Sequence, residues 1–257
     1  MERKMQSLRL LILAVSLVLS ACGCRKDTTE TQTTETERKE ETRKEAAMVT
    51  TLQWLGHAGF KICHEDTVIY IDPWKLKDSP HDATLVLVSH SHYDHYSPSD
   101  IARISGAETK LVASTDVVSK EKNGEMILNG LTIEFGSVRV SGVAAYNPGK
   151  QFHPKANNWV GFVIEVGSKR IYYAGDTDLT DEMKSLKEID VALLPVGGTY
   201  TMDAAEAADA IKYIKPELAI PYHWGDIVGS RTDAEKFANT VECETKILTS
   251  GETITLE

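Results

Sequence analysis

The sequence predicts an α+β fold in which two β-sheets pack face to face and helices cover their outer sides. Two observations carry this. Short runs rich in β-branched and aromatic residues crowd the first half of the chain beyond residue 49, each bounded by turn residues. In the second half such runs alternate with amphipathic segments of helical period. The roughly 209 residues of 49–257 suffice for one such domain with a single large core.

The chain opens MERKMQSLRLLILAVSLVLSACGC, with Arg3, Lys4 and Arg9 around an almost wholly apolar run at 8–19. That is the charged region and apolar region of a secretory signal peptide, expected over 1–21. The run is shorter than the ~20 residues a comfortable transmembrane helix needs. Leu19-Ser20-Ala21-Cys22 resembles the lipobox of bacterial lipoproteins. On that resemblance Cys22 is expected to carry lipid and to hold the protein at an extracytoplasmic membrane surface, each buried CH₂ contributing about 0.8 kcal/mol. Residues 22–48 then form a disordered, charged tether: 25–45 holds seven acids, six bases and no apolar residue, too little apolar surface to offset the entropy of ordering it.

The folded region is expected over 49–257. TLQWLG, FKICH and TVIYID read as short strands separated by turns, one of them at Glu65-Asp66. TLVLVS (84–89) is an apolar run of buried-strand type. SPSDIARI (97–104) places Ser97 before Pro98, an N-cap and first-turn signature of a helix. TKLVAS, LTIEFG and SVRVSGVAA are further strands, and WVGFVIEVGSKRIYYAGD reads as a hairpin turning at Gly167-Ser168. TDEMKSLKEI is a short helix capped by Thr180; DVALLPV is a buried strand. Residues 202–214 form the most amphipathic helix and ELAIPY the strand after it. TDAEKFANTV is a helix, and TKIL and ETITLE close the chain as strands.

The net charge of −10 is unevenly placed. Residues 1–48 hold 9 Lys+Arg and 8 Asp+Glu, which leaves 19 and 30, or −11, for the rest. So acidic a region has no electrostatic footprint for nucleic acid, and a small-molecule substrate is the expected partner. Of the four cysteines, Cys63 and Cys243 lie in the folded region, either as free thiols or as one disulfide.

The eight histidines are not scattered. His57 follows LQWLG, His90 and His92 follow LVLVS, and His223 follows LAIPY; Asp72 follows TVIYI and Asp176 follows RIYYAG. Rigid strands position the loop residues at their ends, and imidazole with carboxylate suits zinc and its neighbours. HSHYDH (90–95) alone supplies four candidate ligands. One ion could use His90, His92 and a third histidine, a second Asp94, His95 and His223. Asp176 could bridge them, and a water between the ions would become a hydroxide nucleophile near neutral pH. Asp94 and Asp176 would then be the carboxylates nearest the chemistry. His57, Asp72 and Tyr200 are candidates for the pocket or for orienting a ligand, while His64 and His81 read as surface residues.

His90-Ser91-His92-Tyr93-Asp94-His95, with Gly175-Asp176-Thr177 and Pro221-Tyr222-His223, resembles the H-x-H-x-D-H and later anchors of the metallo-β-lactamase superfamily. Trp54-Leu55-Gly56-His57-Ala58, Ile71-Asp72-Pro73 and LLPVGGTYTM extend the likeness over essentially all of 50–257. It is most similar to the branch holding ascorbate-6-phosphate lactonase-like proteins and N-acyl-phosphatidylethanolamine phospholipase D. The resemblance implies an αββα sandwich and a dinuclear site, usually zinc and here two ions per chain, with manganese or iron as alternatives. It implies His90 and His92 at the first ion, Asp94, His95 and His223 at the second, and Asp176 as the bridge. His92 stands where redox members usually carry Glu, which favours hydrolysis. The third histidine of the first ion is the departure: His153 is the one candidate, but it lies several residues beyond SGVAA, and Tyr146 or Asn147 falls nearer the usual position.

Two functions are therefore expected in competition. The first is a membrane-anchored zinc hydrolase acting on a lactone, ester, amide or phosphodiester. The second is a membrane-anchored, metal-dependent binding or sensing protein without turnover.

Overall fold

A computed structural model of the chain describes residues 48–257. The expected signal segment, Cys22 and the tether up to residue 47 lie outside the described residues. Strands β1 (Thr50–Gly56), β2 (Gly59–His64), β3 (Thr67–Ile71), β4 (Ala83–Val88), β5 (Ser105–Ala113), β6 (Gly124–Met126) and β14 (Thr253–Leu256) form one seven-stranded sheet, in the order β14-β1-β2-β3-β4-β5-β6. The second holds β7 (Thr132–Phe135), β8 (Val138–Ala144), β9 (Val160–Val166), β10 (Lys169–Tyr173), β11 (Val191–Pro195), β12 (Leu218–Tyr222) and β13 (Glu244–Thr245), ordered β13-β12-β11-β10-β9-β8-β7. Both sheets are mixed. In the first, β14-β1-β2-β3 are antiparallel neighbours and β3 to β6 parallel. In the second, β7 to β10 are antiparallel and β10 to β13 parallel.

The alternation of side chains along strands sorts the core into three layers. Leu52, Phe60, Ile69 and Leu87 from the first sheet meet Val140, Phe162, Tyr173, Leu193 and Ile220 from the second in one apolar layer between the sheets. On the outer face of the second sheet, Tyr172, Ala192 and Ala219 pack against Met183 of α3 (Asp181–Lys184), Ala207 and Ile211 of α4 (Ala204–Ile214), and Phe237 of α5 (Arg231–Ala238). On the outer face of the first, Tyr70, Val86 and Val88 pack against Ile104 of α1 (Pro98–Ile104) and Val117 of α2 (Thr115–Val118). The order helix, sheet, sheet, helix is the predicted αββα sandwich.

Helix ends follow the local chemistry. Ser97 accepts from Asp100 N and Pro98 sits in the first turn. Asp203 caps α4 in a reciprocal box with Glu206. Three expectations change. TDEMKSLKEI gives a single helical turn, with Thr180 accepting from Met183 N. Only Thr245 of TKIL is in a strand; Lys246 to Leu248 is irregular, yet Leu248 is buried under the core. The three-residue edge strand β6 has no alternating apolar pattern to announce it. Cys63 and Cys243 are free, half-buried thiols. Among the described residues no helix is long and apolar enough to cross a membrane.

Candidate metal centre

The predicted residues converge at one end of the sandwich, where β1, β3, β4, β10 and β12 end. Three of them hold left-handed backbones rarely adopted outside glycine: His57 (φ 47°), Asp72 (φ 43°) and His223 (φ 61°). Such conformations cost of order 1–3 kcal/mol each and persist where surrounding structure fixes them. The fixing contacts are present. His57 O accepts from both His223 N (3.0 Å) and the Trp54 indole (3.1 Å), which ties the end of β1 to that of β12. Gly197, after β11, lets the chain turn here: a Cβ there would lie 2.3 Å from His223 O.

Two groups of donor atoms that share no residue result, besides a set of Asp72, His90 and His95 that overlaps both. His90, His92 and His153 form one, and His57, Asp94, His95 and His223 the other; within each group the donor atoms lie within 4.8 Å of one another. Asp176 stands between them. Its Oδ2 is 3.3 Å from both His153 Nε2 and His223 Nε2, and its Oδ1 is 3.2 Å from His95 Nε2. Asp94 Oδ2 is 2.9 Å from His57 Nε2, 3.6 Å from His95 Nε2 and 3.9 Å from His223 Nε2. His153 thus joins His90 and His92 although it lies nine residues beyond β8. His57, expected in the pocket or behind a ligand, lies against Asp94. His64 ends β2 and bonds Thr50 Oγ1 (3.0 Å), and His81 is exposed; both are apart from the group.

A second layer of contacts orients the rings. Asp72 is fully buried. Its Oδ1 accepts from Ser89 N (2.8 Å), and its Oδ2 from Ser89 Oγ (2.5 Å), His95 Nδ1 (2.6 Å) and Tyr173 OH (2.6 Å). The Ser89 hydroxyl in turn accepts from His90 Nδ1 (2.9 Å). One carboxylate therefore sets the tautomers of His95 directly and His90 through Ser89, one residue in each group, and turns both Nε2 atoms inward. His153 is held the same way: Nδ1 donates to Asn147 Oδ1 (2.7 Å) and Tyr200 O (3.1 Å), leaving Nε2 free. Tyr200 contributes its carbonyl here, while its ring packs on Phe152 at 4.7 Å. The loop itself is pinned by Lys150, whose ammonium donates to Asp178 Oδ1 (2.7 Å) and to the Gly198 and Thr201 carbonyls. Trp159 backs the first group, 4.8 Å from the His90 and His92 rings and 5.4 Å from His153, with its indole N–H on Asp116. Ser89, Lys150 and Trp159 had no signal of their own in the sequence, and Asn147 stood out only as a candidate for the ligand position.

The electrostatics are those of a tightly coupled buried cluster. Burial opposes ionisation of Asp176, but His223 and His95 outweigh it and hold the carboxyl well below the usual range. Burial also opposes charging of His95, but Asp176 and Asp72 outweigh it and raise its pKa well above that of a free imidazole. Burial, reinforced by His95, pushes His90 well down, and burial lowers His57 against the pull of Asp94.

The donor set fits a metal pair. His95 Nε2, His153 Nε2, His223 Nε2 and Asp176 Oδ1 are buried and close together but lack aligned hydrogen bonds. A buried polar atom left unpaired costs about 1–3 kcal/mol, and cations held among these atoms would satisfy them. Imidazole and carboxylate donors with ordered outer partners are the ligands of zinc-type ions.

The chain matches known proteins over most of its length. Residues 51–223 match the β-lactamase superfamily domain. A UPF0173 metal-dependent hydrolase of Nitratidesulfovibrio vulgaris is 32% identical over 239 residues, covering 82% of this chain and 97% of the relative. One from Symbiobacterium thermophilum is 35% identical over 227 residues, covering 80% and 99%. Among solved structures, Igni18, a metallo hydrolase from the archaeon Ignicoccus hospitalis, superposes with a TM-score of 0.68 at 28% identity, covering 81% of this chain and 99% of that one.

Proposed function

The chain belongs to the β-lactamase superfamily, among its UPF0173 metal-dependent hydrolases, and we propose that within it this protein is a dinuclear, zinc-loaded enzyme cleaving a small ester, lactone, amide or phosphodiester. The observation that carries the reading is the pair of donor groups joined by Asp176. His90, His92 and His153 would hold one ion, and Asp94, His95 and His223 the other. When bound, such ions polarise a carbonyl or phosphoryl oxygen and lower the pKa of a water to near neutrality.

The chain's own residues do the rest. Asp72 and Ser89 keep His90 and His95 in the tautomers that present Nε2 inward. Asn147 and the Tyr200 carbonyl do so for His153. His57 donates from Nε2 to Asp94 Oδ2, the oxygen that also faces His95 and His223, and so fixes the orientation of the carboxylate that would take up or return a proton. The strand ends around them fix where these side chains stand, which keeps the reacting geometry preorganised. The likeness of HSHYDH and WLGHA to the lactonase-like and phospholipase D-like branch supports those substrate classes. The lipobox-like LSAC supports anchoring at an extracytoplasmic membrane surface through Cys22.

The test is a panel of model esters, lactones and phosphodiesters with the purified protein. Turnover should vanish on chelation, return with zinc, and be absent in Asp94→Ala. Undiminished turnover by metal-free protein would sink the reading; a tight ligand without turnover would favour a binding or sensing protein. Anchoring has its own check: Cys22→Ala protein should leave the membrane fraction.

A further inference from the structure

Beside the candidate centre lies a compartment with no part in the account above. A cleft of about 730 Å³ opens along the His57 ring, within the ~300–1,000 Å³ typical of small-molecule sites. Its walls come from the end of β1, the loop after β3 and the loop after β12. They are aromatic: the Trp54 and Trp224 rings meet at 4.9 Å, and Trp74 stands 5.1 Å from His57. The Trp54 and Trp224 indole N–H groups already donate to the His57 and Pro221 carbonyls. Neither indole therefore offers a free donor, and since Trp54 is buried in the core, the part-exposed rings of Trp224 and Trp74 supply the aromatic surface of the cleft. His57 is the shared wall, with Nε2 on Asp94 and a buried Nδ1 that has no partner.

The rim carries charge of one sign in excess. Among the lining residues are four cations and two carboxylates, in a folded region that totals −11. Three of the cations, Lys61, Lys75 and Arg231, already meet Asp82, Asp226 and Glu235. Lys77 has no carboxylate partner among the described residues. The Lys75–Asp226 pair (3.0 Å) spans the two loops, and its ammonium lies 4.0 Å over the Trp74 ring.

We propose that this cleft holds the non-reacting part of the substrate, and that this part is a flat aromatic group bearing an acid, its ring on the part-exposed indoles of Trp74 and Trp224 and its anionic group at Lys77. The inference rests on the hydrolase reading for its biological sense. Its physical content is independent of it: a flat ring gains by stacking on Trp faces, and a single unpaired ammonium selects an anion over a neutral group of the same shape.

The probe is 1-naphthoate, titrated calorimetrically into the zinc-loaded protein, with 1-naphthamide as its neutral counterpart and metal content measured on the same samples. Naphthoate should bind saturably, and Trp74→Ala should raise its Kd about tenfold. Lys77→Met should raise it about threefold, as expected for one exposed ion pair. Naphthamide should bind wild type and Lys77→Met equally. Naphthoate affinity untouched by either substitution but lost on chelation would place its carboxylate on the metals and overturn the proposal, as would no saturable binding of either compound. Two ions per chain without naphthoate binding would leave the hydrolase reading standing and this inference refuted. Naphthoate binding by a protein that takes up no metal would refute the former and not the latter.

Discussion

Replacing Asp72 by Asn should loosen both donor groups without removing a single candidate ligand. Asn tolerates the left-handed backbone at this position (φ 43°), and the shape is kept, so the change is one of hydrogen-bond polarity. Asn Oδ1 can still accept from Ser89 N. An amide NH₂ in place of Oδ2 would face three donors: Ser89 Oγ, His95 Nδ1 and Tyr173 OH. The two hydroxyls can rotate to accept. His95 cannot, unless its proton moves to Nε2, and then the atom 3.2 Å from Asp176 carries a hydrogen where an ion needs a lone pair. The stability cost is that of one mispaired buried group, about 1–3 kcal/mol, or roughly 2–12 °C in Tm at ~2–4 °C per kcal/mol for a domain of this size. The metal cost should be larger in effect, about 10- to 100-fold in affinity, as for other residues that orient a ligand. Thermal unfolding of the metal-free protein reads the first and chelator competition for zinc the second. Zinc affinity within twofold of wild type, alongside the loss of Tm, would refute the claim that Asp72 sets the His95 tautomer.

Other expectations follow from the same geometry. Lys150→Met should free the loop that carries His153, because it removes three bonds at once; the first ion should then bind about tenfold more weakly while the second is unchanged, as read by stepwise zinc titration. Gly197→Ala should destabilise by about 1–3 kcal/mol and displace His223, since the new Cβ meets its carbonyl at 2.3 Å; denaturant unfolding checks the first and metal content the second. Metal binding near neutral pH should release a proton from His95. In the metal-free protein Asp176 and Asp72 overcome burial and hold that ring charged up to a raised pKa, so uptake through Nε2 must expel the proton. The sign follows: metal affinity should rise with pH through neutrality and level off above the raised pKa, and calorimetric enthalpies should differ between buffers of different ionisation enthalpy.

The two-sheet architecture was legible because its strands are short, apolar and separated by strong turn signals, and because capping chemistry at Ser97 and Asp203 marks helix starts. Half of the site was legible for the same local reason: four candidate ligands lie within six residues, directly after β4. The rest depends on distance in the chain. His153 is set nine residues past β8 in a loop whose path is fixed by Lys150 reaching Asp178 and by Asn147 reaching back to His153, contacts that no periodicity encodes. Asn147 does occupy the place where a ligand was expected, and it bonds the histidine instead. Leu248 was read as part of a strand from its apolar neighbours, but an irregular segment can bury one side chain as well. The aromatic cleft was invisible, since Trp54 comes from β1 and Trp74 and Trp224 from two loops distant from it in the chain.

The central claim is that two cations sit on either side of Asp176. Anomalous diffraction at the zinc edge, from crystals of zinc-loaded protein, tests it most directly. The account predicts two peaks about 3.5–4 Å apart, one among His90, His92 and His153 and the other among Asp94, His95 and His223, with Asp176 between them. A single peak, or peaks that leave Asp176 or His153 out of reach, would contradict it.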